Sequence, residues 1–229
     1  MHDWHAENGA TFVQAGQWLR AQYYLRDGEQ DIKADFDRAI AREVTETRGG
    51  VGMVDVSTLG KIDIQGPDSA EFLNRLYING WKTLPVGRAR YGIMLREDGL
   101  VFDDGTTSRV GENRYFMTTT TTNAGPVMSH MEEYLQIHWQ ELDVKVVSAT
   151  EQWAAMALAG PKSREVLAAA VEGLDVTDEA LPFMGVRETT IAGAFARVFR
   201  ISFSGELAYE VNVPADHGRA VWERIMEVG

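Results

Sequence analysis

The feature that most constrains this chain is an internal repeat. The segment Gln65-Gly66-Pro67-Asp68-Ser69-Ala70-Glu71-Phe72-Leu73 matches Ala159-Gly160-Pro161-Lys162-Ser163-Arg164-Glu165-Val166-Leu167, and the alignment keeps one constant offset. In the first copy the alternating strand-like run Lys61-Ile62-Asp63-Ile64-Gln65 meets Gly66-Pro67, which opens a helix. Proline loses nothing in a first helical turn, where its missing N–H has no intrahelical partner. The apolar helix positions Phe72, Leu73, Leu76 and Tyr77 recur as Val166, Leu167, Ala170 and Val171. Two helices with equivalent faces, packed on equivalent sheets, follow from that spacing.

A strand-rich stretch follows each helix. Residues 91–122 carry turns at Glu97-Asp98-Gly99 and Gly111-Glu112-Asn113, and residues 187–213 carry turns at Ala192-Gly193 and Ser204-Gly205-Glu206. Helical spacing returns over 126–137 and 215–228. The pattern predicts an α+β fold of two pseudo-symmetric strand–helix–hairpin–helix repeats, residues 51–150 and 151–229, behind an N-terminal segment of residues 1–50. In that segment residues 35–46 read as an amphipathic helix with Phe36, Ile40 and Val44 on one side, ended by Gly49-Gly50.

Composition narrows the chemistry. With 229 residues, 45% of them apolar, there is material for a sizeable core. No run approaches the ~18 apolar residues of a membrane span, and the N-terminus lacks the order of a signal peptide, so a cytoplasmic protein away from membranes is expected. The absence of cysteine excludes disulfides, thiolate metal sites and cysteine nucleophiles within these residues. A formal charge of −12 disfavours nucleic-acid backbones as partners. His2, His5, His130, His138 and His217 form no metal-ligand spacing, and no metal centre is expected. There is no dinucleotide-binding G-x-G-x-x-G and no Walker-type loop, so any flavin or nicotinamide belongs to other chains or segments.

Three places hold polar groups suited to chemistry. Leu100-Val101-Phe102-Asp103-Asp104-Gly105 sets two carboxylates at a strand before a glycine. Alternation puts Asp104 with Leu100 and Phe102, and Asp103 with Val101, so without a bulge only one can enter a small site. An aspartate in apolar surroundings resists ionisation and can manage a proton on a substrate amine near neutral pH; from spacing alone a turn-capping aspartate is the simpler reading. Glu210, in Ala208-Tyr209-Glu210-Val211-Asn212-Val213, either faces water or uses its two acceptor oxygens to read adjacent N–H groups of a planar heterocycle. Residues 118–122 are five threonines, read first as strand, whose hydroxyls also suit a polar pocket.

Gly52-Met53-Val54-Asp55-Val56-Ser57, Ile64-Gln65-Gly66-Pro67, Tyr91-Gly92-Ile93-Met94, Asp103-Asp104 and Ser204-Gly205-Glu206-Leu207-Ala208-Tyr209-Glu210 fall in an order that resembles glycine cleavage aminomethyltransferases. The longer strings around His2 to His5, 57–68, the threonine run and 200–214 are similar to the C-terminal folate-binding region of heterotetrameric sarcosine oxidase α subunits. The resemblance implies a tetrahydrofolate site that captures the one-carbon unit of sarcosine demethylation as 5,10-methylenetetrahydrofolate. It also implies partner subunits, with FAD, FMN and NAD held elsewhere in the complex. Carried over by position, it implies Asp104 as the catalytic aspartate beside the reacting folate nitrogens, Glu210 as the grip on the pterin and Tyr91 as a pocket aromatic.

Departures from the pattern qualify the transfer. Thr58 stands where the transferases carry histidine, Thr119 near the place of an asparagine that contacts the pterin, and Phe203 where tyrosine is frequent, so stacking is kept and a hydroxyl lost. These features argue against direct transfer from a lipoyl carrier by a stand-alone aminomethyltransferase. A non-catalytic folate-binding or scaffold module is the alternative from another class. The resemblance further implies that relatives continue beyond the position of Gly229, with additional folate contacts there.

Overall fold

The computed structural model describes residues 1–229. A short helix α1 (His2–Glu7) leads into the antiparallel hairpin β1 (Ala10–Ala15) and β2 (Trp18–Tyr24), followed by α2 (Lys33–Gly49). Helix α2 ends at the glycine pair as predicted but presents a different face. Phe36 packs edge-on to Tyr23 and Asp35 and Ala39 are buried, whereas Ile40 and Val44 are exposed. The reason lies at the end of β2: Glu43 accepts the Tyr24 N–H at 2.9 Å, and Arg42 donates to the Tyr24 carbonyl at 2.8 Å. Satisfying those two backbone groups outweighs burial of two aliphatic side chains.

The first repeat supplies β3 (Gly52–Asp55), β4 (Gly60–Gln65), α3 (Ser69–Leu76), β5 (Arg88–Leu95), β6 (Val101–Gly111), β7 (Arg114–Thr119), α4 (Ala124–Glu133) and β8 (Lys145–Ser148). The second supplies β9 (Trp153–Ala159), α5 (Ser163–Ala170), the two-residue β10 (Val171–Glu172), β11 (Val186–Ile191), β12 (Ala194–Phe199), β13 (Ala208–Pro214) and α6 (Gly218–Val228). The threonine run is strand only as far as Thr119. Thr120 leaves the ladder because its N–H and hydroxyl both bind Asp103.

Two sheets result, with orders β5-β6-β7-β4-β8 and β10-β11-β12-β13-β9-β3. Their registers are superimposable along the repeat. Ile62 faces Met117 and Ser148, as Met156 faces Val211 and Asp55. One strand of each sheet is exchanged. β3 precedes β4 in sequence yet pairs with β9, and β8 precedes β9 yet pairs with β4. The chain accordingly forms one compact unit from Met1–Thr58, Trp153–Phe183 and Arg187–Gly229, and another from Leu59–Gln152 with Met184–Val186.

The repeated Gly-Pro turn is what admits the exchanged strand. Gly66 (φ +136°) and Gly160 (φ +124°) adopt a conformation closed to side-chain-bearing residues. A Cβ would lie 2.1 Å from the Asp143 carbonyl oxygen at Gly66 and 2.5 Å from that of Gly50 at Gly160, just ahead of β8 and β3. Behind each turn Leu73 and Leu167 are wholly buried, the first among Ile62, Ile64 and Met117, the second among Met156, Val211 and Trp222.

Candidate functional site

Each sheet buries one face in its core and carries candidate polar groups on the other. In the unit containing β4 to β8, direct cross-strand pairing aligns Tyr91, Thr106, Thr118 and Lys61 in one row, with Asp104 one step along β6 on the same face. Tyr91 is exposed and donates its hydroxyl to Asp104 Oδ2 at 2.8 Å. That hydrogen bond, with slight burial and the charges of Asp104 and Asp103, raises the phenol above its ordinary pKa. Thr106 and Thr118 satisfy one another through hydroxyls 3.1 Å apart and through the Thr106 N–H and carbonyl. Lys61 closes the row wholly buried, its ammonium donating to the Leu59 carbonyl at 2.9 Å. Gly105 lets β7 approach, since a Cβ there would meet the Thr118 carbonyl oxygen at 2.1 Å.

The two aspartates separate, though not by simple alternation. The register steps from Met94 opposite Asp103 to Leu95 opposite Val101, so Phe102 is an extra, bulged residue. The expected grouping is corrected accordingly: Val101 shares the face of Asp104, not that of Asp103. Asp103 turns inward, where Thr120 Oγ1 donates at 2.6 Å and Asn123 Nδ2 at 3.2 Å. Burial drives its pKa up against those hydrogen bonds. Thr119 lies on the opposite face from Tyr91 and Asp104, donating its hydroxyl to the Thr120 carbonyl. Of the two threonines of the run that lie in β7, Thr118 is the one on the Asp104 face, where its hydroxyl meets that of Thr106.

The other unit holds Glu210 on the central strand β13. It is buried rather than facing water, opposite Phe199 on one side and Ala157 on the other. Asn212, opposite Arg197 and Ala155, donates Nδ2 to Glu210 Oε1 at 3.0 Å. Ala155 and Ala157 leave this face of β9 low and flat, and beside it the Arg197 guanidinium lies 5.1 Å from the Trp153 ring centre. Phe203 sits fully exposed in the connection from β12 to β13.

Sequence reading passed over Asn212 and Lys61. The sequence signal for Asn212 was strand alternation, which places it on the face of Glu210; Lys61 carried none, since only the ladder brings it opposite Thr118. His5 was passed over as well. That buried ring joins the Tyr24 hydroxyl (2.7 Å) to Asp55 Oδ2 (3.1 Å), a tertiary arrangement with no local signal. An open cleft of about 450 Å³ lies elsewhere, lined by Arg96, Phe102, His130, Tyr134 and His138 among others but by neither Tyr91 nor Asp104.

The sequence profile of the family described as "GCVT N-terminal domain" matches residues 1–229. The chain belongs to that family. Among curated relatives, the sarcosine oxidase subunit alpha of Corynebacterium sp. (strain P-1) is 52% identical over 230 residues, and that of Rhizobium meliloti (strain 1021) is 50% identical over 231. All of this chain is covered in both, against 23% of each relative, so the chain spans about a quarter of their length. Among solved structures, the glycine cleavage system aminomethyltransferase T of Bartonella henselae superposes with a TM-score of 0.81 at 25% identity, covering 98% of this chain and 55% of that one. The α+β architecture is thus the family's fold, and no helix in it is long and apolar enough to cross a membrane.

Proposed function

We propose that this chain binds tetrahydrofolate within a sarcosine oxidase α-type subunit and promotes capture of the one-carbon unit from sarcosine demethylation as 5,10-methylenetetrahydrofolate. The observation that carries this reading is the pairing of Tyr91 with Asp104 on the non-core face of its sheet, in a chain half identical to sarcosine oxidase α subunits. The residues suit such a ligand. A buried carboxylate and a buried amide above a floor of alanines match a flat heterocycle rich in N–H donors.

When bound, tetrahydrofolate supplies the nitrogen nucleophiles that take up the one-carbon unit. In this reading Asp104, oriented by the Tyr91 hydroxyl, is the catalytic residue that holds the proton balance at those nitrogens. Glu210 accepts hydrogen bonds from the pterin, and Phe203 offers a ring for stacking. Thr119 contributes as the last ladder residue of β7, keeping Thr118 and Thr120 in place. Partner subunits, with FAD, FMN and NAD held outside these residues, and a cytoplasmic setting complete the proposal.

Asp104→Asn tests it. Methylenetetrahydrofolate formation is expected to fall about 100-fold, the scale of a lost acid–base group, while calorimetric tetrahydrofolate affinity changes little. Capture at the wild-type rate would remove Asp104 from the chemistry. No affinity in the wild-type protein, with its fold intact, would favour a scaffold module instead.

A further inference from the structure

Asn212 is expensive where it stands. It is wholly buried on β13 between Val211 and Val213, and its Oδ1 is buried with no hydrogen-bond partner. An orphaned buried carbonyl loses its hydration with nothing in return, so a structural role alone would be better served by valine or leucine. The equivalent position of the other sheet confirms that the fold does not require the cost. There Thr118 fills the place with a hydroxyl fully engaged by Thr106. What Asn212 gains is a fixed donor, Nδ2, held 3.0 Å from Glu210 Oε1.

We propose that Asn212 is the positioning residue for Glu210, fixing the plane of its carboxylate so that it meets the N–H edge of a bound pterin. This rests on the folate reading above. One carboxylate oxygen is tied to the amide and the torsion of the group is set before the ligand arrives, which spares the ordering cost at binding. The orphaned Oδ1 is the stability given up for that geometry.

The test is a double-mutant cycle read by calorimetric titration of tetrahydrofolate and, separately, of tetrahydropterin. Asn212→Leu is expected to weaken both ligands about tenfold, the loss of one hydrogen bond to a charged group, with a melting temperature near that of wild type. Asn212→Val does the same if leucine fails to fit. In the Glu210→Ala background either substitution should change affinity less than about twofold, because its effect passes through Glu210. Wild-type affinity in both Asn212 variants, or full additivity with Glu210→Ala, would overturn the inference and leave the folate reading standing. A wild-type protein that binds neither ligand would overturn that reading itself.

Discussion

The two sheets share a ladder and differ on the face that topology leaves unconstrained. Position for position, Lys61, Thr118 and Thr106 of one correspond to Ala155, Asn212 and Arg197 of the other, and Asp63 and Phe116 correspond to Ala157 and Glu210. The equivalent core-facing pairs Ile62 and Met117 of one and Met156 and Val211 of the other are apolar and buried. Facing the core, a residue must fit a helix and its neighbours; on the reverse face it need only satisfy its own polar atoms. One sheet meets that demand with mutually bonded threonines and an exposed Tyr91–Asp104 pair; the other meets it only in part, with a buried Glu210–Asn212 pair whose Asn212 Oδ1 stays unpaired. Duplication fixed the frame, and the two reverse faces took up different chemistry on it.

If the frame is truly common, its shared turn should fail in the same way on both sides. Gly66→Ala and Gly160→Ala each force a Cβ into a backbone carbonyl, at a φ that alanine strongly disfavours. Each is expected to cost about 3 kcal/mol or more, read as loss of the cooperative thermal transition or a large fall in its midpoint. The shorter contact at Gly66 makes that variant at least as damaging. Tolerance of alanine at one glycine only would break the equivalence of the two exchanged strands.

A second prediction sharpens the contrast between those strands. Asp55 and Ser148 end β3 and β8 in equivalent register, opposite Met156 and Ile62. Ser148 is exposed, whereas Asp55 is tied to His5 and to the Ser57 N–H at 2.8 Å. Burial opposes ionisation of Asp55, yet the hydrogen bonds from His5 and Ser57 prevail and hold its pKa below the ordinary 3.8. A depressed carboxylate contributes stability that is complete above its unfolded pKa and is lost as pH falls through the folded one. His5→Ala removes the leading donor and leaves burial opposed by Ser57 alone, so the acid unfolding midpoint should move to higher pH. At neutral pH the lost contacts with Asp55, Tyr24 and Trp222 should cost about 2–3 kcal/mol. Replacing Ser148 by alanine should move neither quantity; equal acid sensitivity in both variants would dissolve the contrast.

The common frame was legible in the sequence because it is local. The Gly-Pro turns, the apolar helix positions and the alternating strands each declare themselves within a few residues, and the repeat multiplies that signal. The strand exchange was not, since β3 and β8 read alike wherever they pair. Helix α2 was misread on its buried face because Arg42 and Glu43 dock on backbone groups of β2, a tertiary bond that apolar periodicity does not weigh. At the site, Asp104 and Tyr91 were named as candidates, but the bulge at Phe102 and the face of Thr119 depend on ladder register, where a one-residue step reverses every side chain.

The smallest expected effect probes how one shared serine serves two purposes. Ser69 and Ser163 occupy the same turn and are equally buried. Ser69 donates its hydroxyl to the Gly66 carbonyl at 2.7 Å within its own turn. Ser163 reaches the Leu207 carbonyl at 2.9 Å, the residue that leads into β13 and Glu210. Each serine-to-alanine change removes one neutral hydrogen bond and should cost about 1 kcal/mol. Amide hydrogen exchange separates them. Ser69→Ala should speed exchange only at its own turn and the start of α3, while Ser163→Ala should also loosen residues 200–208, because Leu207 then keeps only the Gly160 N–H as its tether in that turn. Loosening of 200–208 in the Ser163 variant, joined to weaker tetrahydrofolate binding, would tie the repeated turn to the Glu210 face; unchanged exchange there would confine this serine to the frame the two units share.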